Sequence, residues 1–333
     1  MTASALPRIV VVATGGTIAG SAATATDTTG YRAATSGGDD LLAAVPQAHG
    51  LARLTGEQFA SIDSSDVTDE VLLALARRVD ALLASPDVDG VVVTHGTDTL
   101  EESAYFLHLV LDSQKPVVFT GAMRPASALS ADGPLNFFAA VAAASAPSSF
   151  GQGVLVVLND EIHSARDVSK STSLRVDSFA SAYGPLGVVV GGRVLYYRSV
   201  ARPHTTASEF DLGAIGTLPS GGIIYAHSGL DESVSDLIAA AGYAVIVHAG
   251  FGNGTVSSRV VGPLEAARRA GALVVRATRT GNGHVTAVGA SGAEVDGWIS
   301  VDDQNAQRAR ILACLALTVT GDPAEVQRIF DTY

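Results

Sequence analysis

A chain of 333 residues with 47% hydrophobic side chains is long enough to bury a sizeable core and to divide into two domains. Its formal net charge of -12 repels phosphate backbones and anionic lipid, which argues against nucleic acid and membrane surfaces as partners. One cysteine, Cys314, excludes an internal disulfide, and no run approaches the roughly 20 apolar residues of a membrane span.

Met1 to Pro7 lacks a cationic region followed by a long apolar one, so no secretory leader is legible and the cytoplasm is the expected compartment. A chain whose leader had been removed would read the same and belong in the periplasm. Short Val/Ile-rich runs then alternate with helical patterns, the signature of an α/β fold with a mostly parallel sheet and helices on both faces. Strands are expected at Arg8 to Ala13, Gly90 to Thr94, Pro116 to Thr120 and Gly153 to Leu158, then at Gly222 to Ala226, Ala244 to His248 and Ala272 to Arg276. From Thr68 to Ser85, Val71, Leu72, Leu75, Val79, Leu82 and Leu83 recur at threes and fours, with Thr68 and Asp69 as caps. Thr99 to Asp112 and Gln304 to Thr320 also read as helices, the latter enclosing Cys314 as a buried core thiol.

Two stretches break this rhythm. Gly20 to Gly38 is rich in Thr, Ala, Ser and Gly around a single Tyr31, and a loop of that length is expected to be a lid or disordered. Arg198 to Ser220, with Pro203 and Pro219, reads as a linker. The expected division is therefore an N-terminal α/β domain at 1–200, a linker at 201–220 and a C-terminal α/β domain at 221–333.

Two strands run straight into glycine-flanked threonines. Ile9 to Ala13 leads into Thr14-Gly15-Gly16-Thr17, and Val91 to Val93 into Thr94-His95-Gly96-Thr97-Asp98. Strands that stop in such turns expose the next side chains at the carboxyl edge of an α/β sheet, where these folds bind ligands. Other chemistries fail. There is no G-x-S-x-G elbow, Walker loop or H-E-x-x-H helix, and the eight histidines lack ligand spacing, so neither metal nor cofactor is expected. Gly15 to Gly20 carries Thr17 where a dinucleotide fingerprint needs its second glycine.

Threonine is a poor nucleophile unless a neighbour takes its proton. Of 21 basic residues only Lys115 and Lys170 are lysines, and lysine can act as an amine where arginine cannot. Lys170 is thus a candidate catalytic amine, against its reading as a surface lysine. Asp98 is either a cap for the helix near Thr99 or a ligand carboxylate. Tyr31 is either a solvated aromatic or a proton acceptor delivered by lid closure, Ser64 is by default a cap, and His95 orients its loop.

Thr14 to Gly20 and Thr94 to Thr99 together resemble the two signatures of bacterial-type L-asparaginases and glutaminase-asparaginases. Lys115-Pro116-Val117-Val118, Gly121-Ala122-Met123-Arg124-Pro125, Ser130-Ala131-Asp132-Gly133-Pro134, Tyr183-Gly184-Pro185-Leu186-Gly187 and Gly250-Phe251-Gly252-Asn253-Gly254 extend the resemblance over nearly the whole chain. It implies a larger N-terminal domain with a mixed, mostly parallel sheet and a smaller, flavodoxin-like C-terminal domain. It also implies hydrolysis of L-asparagine, or of L-glutamine with little preference, through an acyl intermediate. A non-catalytic amino-acid-binding module on the same fold is the rival, and an amidotransferase subunit acting on charged tRNA is disfavoured by the acidic balance.

By the same resemblance Thr17 is the nucleophile and Tyr31 its base or proton relay, while Thr97 and Lys170 work with Asp98 on water or the oxyanion. Ser64 and the Gly16 turn receive the substrate's α-carboxylate, Asp98 its α-ammonium, and Gly96, Thr97 and Ala122 border the amide. A homotetramer of two close dimers is implied, with Asn253 reaching the partner's site. Two departures concern the ammonium. Ser65 stands where the family carries Gln or Glu, and Val288-Gly289-Ala290 where a partner glutamate belongs, leaving Glu294 as the nearest acid.

Overall fold

The computed structural model describes residues 5–29, 31–32, 38–288 and 297–333. Two compact units are present, Met1–Leu212 and Gly213–Tyr333. In the first, five parallel strands lie in the spatial order Val154–Leu158, Val117–Thr120, Gly90–Thr94, Arg8–Gly15 and Arg53–Ile62. Glu161–Ser164, Gly187–Val190 and Arg193–Tyr196 continue the sheet as antiparallel strands beyond Val154–Leu158. The result is the mixed, mostly parallel sheet that the sequence implies.

The three inner strands Gly90–Thr94, Val117–Thr120 and Val154–Leu158 are buried at every residue, which explains their unbroken Val-rich runs. Ile9, Val11, Val92, Val118, Leu155 and Val157 share one core with Phe137 and the alanines of helix Gly133–Ser145. Helices Asp69–Ala84 and Leu100–Val110 pack against the strands and each other. Thr68 caps the former through the Val71 N–H, and Lys115 Nζ binds the Leu83 and Ser85 carbonyls at its far end. Lys115 is therefore a structural lysine. Arg53–Ile62 has no counterpart among the expected strands. It is the half-exposed outer strand, so its sequence shows no apolar run.

Register determines what meets at the carboxyl edge. Ala13 pairs with Thr94, Thr94 with Thr120, and Gly15 with Ile62. The segments beginning at Thr14, His95, Gly121 and Asp63 consequently leave the sheet side by side. Within the expected lid, Ser21–Ala22 and Tyr31–Arg32 form a short antiparallel ribbon. The loop is tied down where Ala126 N–H donates to Gly20 O, Ala22 N–H to Ser127 Oγ and Leu129 N–H to Ala25 O.

The second unit is a parallel four-stranded sheet in the order Gly221–Tyr225, Val245–Gly250, Leu273–Thr278 and Ile299–Ser300. Cys314 is 1% exposed on helix Ala306–Val319, a buried thiol as expected. His248 is fully buried on the second strand, and among the described residues neither ring nitrogen has a hydrogen-bond partner. Burial pushes its imidazole down to about 4. The unfolded chain takes up this proton near 6.5, so folding loses stability as the pH falls from 6.5 toward 4, by up to about 3 kcal/mol. Urea unfolding followed across that window should show a smaller loss for His248→Gln than for the parent; equal slopes would contradict this.

Candidate functional site

Glycine is what lets the four strand ends close on one another. Gly15 and Gly16 have φ of 115° and 82°, and a Cβ on Gly16 would lie 2.5 Å from both the Cα and the N of Gly96. A Cβ on Gly96 would in turn lie 2.5 Å from Ser64 Oγ. The backbone of the first turn thus rests on the backbone of the second, which rests on Ser64. Thr14 Oγ1 reinforces the contact by donating to Thr94 O at 3.0 Å. Thr17, at the start of a short 3-10 turn, and Thr97 are 7% and 6% exposed.

Gly121 packs equally closely, its missing Cβ standing 2.7 Å from His95 O and 3.1 Å from Thr97 Cγ2. Behind it, Ala122 is buried. Asp132 accepts the Met123 and Arg124 N–H groups at 2.9 Å each, and Asn136 Nδ2 donates to Gly121 O at 3.0 Å and to Asp132. His95 is buried and oriented at both ends. Nδ1–H donates to Gly96 O at 2.8 Å and Nε2 accepts from Ser103 Oγ at 3.0 Å, while burial holds the imidazole below its usual pKa and so neutral.

Ser64 joins the site as more than a helix cap. Its Oγ accepts the Asp98 N–H at 3.2 Å and its carbonyl accepts Thr99 Oγ1 at 2.8 Å, while Asp63 supplies the cap of the local turn. Among the described residues no acceptor takes the Ser64 hydroxyl proton. Asp98 does not cap the following helix either. That helix starts after Thr99 with no side-chain cap among the described residues, and Asp98 Oδ1 instead receives Lys170 Nζ at 2.6 Å. The same ammonium donates to Thr97 Oγ1 at 2.9 Å. The Lys170 side chain is only 17% exposed, against 62% for Asp98, so the lysine is drawn inward and is no solvated surface residue.

Thr17, Thr97, Asp98, Lys170, Ser64, Gly16, Gly96 and Ala122 all belong to the first unit. Ser65 beside them is exposed and turned onto Asp63, donating both its N–H and its hydroxyl to Oδ1 at 2.9 and 2.8 Å. Those bonds, with the Lys170 charge beyond them, hold the Asp63 carboxyl below its usual pKa. Asn253 lies in the second unit, where its amide accepts the Thr286 N–H at 2.8 Å and donates to Thr286 Oγ1 at 2.9 Å. Glu294 and the Tyr31 side chain lie outside the described residues. Among the described residues no group of three or more His, Cys, Asp or Glu is arranged to hold a metal ion.

Sequence reasoning passed over Glu101, Asp132 and Asn136. The last two stand in or beside the Ser130-Ala131-Asp132-Gly133-Pro134 motif, which was the available signal. Glu101 is 6% exposed, and its Oε2 accepts the Lys170 N–H at 2.6 Å. Its only sequence trace is an acid in a helix's first turn, which ordinarily means no more than a favourable helix dipole.

Residues 8–202 match the family described as "Asparaginase, N-terminal", and residues 222–330 that described as "Glutaminase/Asparaginase C-terminal domain". The chain is 45% identical over 333 residues to a glutaminase-asparaginase of Pseudomonas fluorescens biotype A, spanning 100% of this chain and 92% of that one. It is 43% identical over 336 residues to L-asparaginase 2 of Escherichia coli (strain K12), spanning 99% and 94%. The crystal structure of a probable cytoplasmic L-asparaginase from Campylobacter jejuni superposes with a TM-score of 0.93 at 42% identity, covering 98% of this chain and 100% of that one.

Proposed function

The chain belongs to the asparaginase family, and from that membership we propose that it hydrolyses the side-chain amide of L-asparagine to L-aspartate and ammonia. The observation that carries the mechanism is that two buried threonines follow neighbouring, in-register strands, with Lys170 Nζ bonded to the second of them. Thr17 Oγ1 attacks the carboxamide carbon, and Tyr31 takes its proton. The C–N bond breaks, ammonia leaves with that proton, and an ester remains on Thr17. Water then attacks the ester while Thr97 and Lys170 relay its proton. The ester C–O bond breaks, aspartate departs and Thr17 is reprotonated.

A zwitterionic substrate in such a site needs donors for its carboxylate and a counter-charge for its ammonium. The spare Ser64 proton and the backbone of the Gly16 turn supply the first. Asp98, with Oδ1 engaged by Lys170 and Oδ2 bearing no hydrogen bond among the described residues, supplies the second. Thr97 N–H, with no acceptor among the described residues, and the Ala122 backbone border the reacting carbonyl, where a well-placed oxyanion donor is worth ~3 kcal/mol.

Ser65 is committed to Asp63, and the stretch where the family carries its partner glutamate reads Val288-Gly289-Ala290 with Glu294 the nearest acid, so ammonium recognition rests mainly on Asp98. Asp98→Asn is expected to raise KM for asparagine on the order of tenfold or more, the cost of one charge-assisted bond. An unchanged KM would reject that assignment. Ser65→Ala, by contrast, should leave KM within about twofold, since a rim hydroxyl turned onto Asp63 adds little; a larger rise would place Ser65 on the substrate.

Ammonia release from asparagine and glutamine, measured side by side, tests the reading. Asparagine is expected to be the preferred substrate. Equal kcat/KM values would make the enzyme a glutaminase-asparaginase of low selectivity, since one methylene is worth only ~1–3 kcal/mol, and binding without ammonia release would make it a binding module. Cytoplasmic residence and a homotetramer of two close dimers, with Asn253 serving the partner's site, belong to the same proposal. Light scattering should then give about four times the 33.8 kDa subunit mass; a single-subunit mass would exclude a shared site.

A further inference from the structure

Thr17, Thr97 and Ser64 stand just past the ends of strands of the eight-stranded sheet, and that sheet holds them in place. Lys170 does not. It ends the three-residue strand Val168–Lys170, whose one ladder among the described residues is to Phe179–Ser181 in a separate two-stranded ribbon. A long, flexible side chain on a small ribbon would by itself give Nζ poor definition relative to Thr97. The next residue closes the ribbon on itself, Ser171 N–H and Oγ both donating to Ser178 O at 2.6 and 2.9 Å. The Lys170 N–H belongs to the other edge, where Glu101 Oε2 accepts it at 2.6 Å.

Glu101 lies in the first turn of helix Leu100–Val110, four residues after Thr97 and three after Asp98. One short segment therefore grips Lys170 three times. Thr97 and Asp98 take the ammonium, and Glu101 takes the backbone of the same residue. Burying a carboxylate costs free energy unless strong donors meet it. A charge-assisted bond from a backbone N–H is such a donor, and the helix N-terminus adds to it.

We propose that Glu101 is a positioning residue for the amide hydrolysis: its buried carboxylate fixes the Lys170 backbone so that Nζ reaches Thr97 Oγ1. The inference rests on the roles proposed above for Thr97 and Lys170. It assigns to Glu101 no contact with substrate, so its removal acts on turnover far more than on affinity. A misplacement of about 1 Å at a reacting group costs on the order of 100-fold.

The test is a kinetic cycle on asparagine hydrolysis with E101A, E101Q, K170A and E101A/K170A. E101A should lower kcat ~30- to 100-fold with KM within about twofold. E101Q, which keeps an oxygen acceptor, should recover most of that loss. In the K170A background E101A should cost no more than about threefold, because the residue it positions is gone. If E101A does not fold, Glu101→Met keeps the volume, removes the acceptor and carries the same expectations. E101A at the parent rate, E101Q as slow as E101A, or losses that multiply in the double variant would each overturn the tether. K170A at the parent rate would refute the role of Lys170 itself, and the inference with it. A deep K170A loss beside an unaffected E101A would refute the tether alone.

Discussion

Thr17→Ala is expected to release ammonia from asparagine roughly 10^3- to 10^6-fold more slowly than the parent, with little change in stability. The reason is that the variant lacks the hydroxyl that forms the ester, while Lys170 Nζ and the Asp98 N–H hold Thr97 Oγ1 and Ser64 Oγ at their own positions. The residual rate would come from the polarising donors around the carbonyl and from substrate binding, which the variant keeps. KM should consequently move far less than kcat. Thr97→Ala separates the two threonines. In that variant acylation of Thr17 can proceed while water attack is impaired, so an aspartyl ester on Thr17 should accumulate and be visible by mass spectrometry. Equal rates for parent and Thr17→Ala would remove Thr17 from the role of nucleophile, and an ester on Thr97 in the Thr17 variant would reverse the assignment.

Gly16→Ala is expected to cost several kcal/mol of stability and most of the activity. Two independent penalties coincide there. With φ of 82° and ψ of -172°, Gly16 occupies a region that is essentially restricted to glycine, which alone costs ~1–3 kcal/mol for another residue. The new Cβ would also sit 2.5 Å from backbone atoms of Gly96, and backbone cannot swing aside as a side-chain tip can. Relief of that clash must separate the two turns that carry Thr17 and Thr97. A shift of about 1 Å suffices for a loss on the order of 100-fold in turnover. Gly50→Ala is the matching control. Among the described residues no heavy atom beyond its chain neighbours lies within 4 Å of its would-be Cβ, so its denaturation midpoint and kcat should equal the parent's. A Gly16→Ala protein as stable and as active as that control would show that the turns do not need their close contact.

The reach and the limits of the sequence follow from particular residues. The fold class is legible because inner parallel strands must be apolar on both faces, so Val91 to Val93 and Val154 to Leu158 announce themselves. Arg53–Ile62 does not, being covered only in part. That the turns carrying Thr17 and Thr97 leave the sheet side by side is legible too, since glycine-flanked threonines after two buried strands of one parallel sheet have nowhere to go but its carboxyl edge. The rarity of lysine singles out Lys170 as one of two, and the structure tells the pair apart, Lys115 on helix-end carbonyls and Lys170 on Thr97 and Asp98.

Contacts between distant segments leave no such trace. Ser64 meets Asp98 across 34 positions of sequence, and Glu101 meets Lys170 across 69. An aspartate before a helix is written identically whether it caps that helix or pairs with a lysine, so the pairing of Asp98 with Lys170 emerges only in three dimensions. The same holds for Ser65, which stands beside the site in sequence but spends its hydroxyl on Asp63.

The most direct measurement is a crystal structure of the enzyme with L-aspartate bound. The side-chain carboxylate is expected within hydrogen-bond reach of both the Thr17 and Thr97 hydroxyls, the α-carboxylate on Ser64 and the α-ammonium on Asp98. Aspartate bound at a position that touches neither threonine would contradict it.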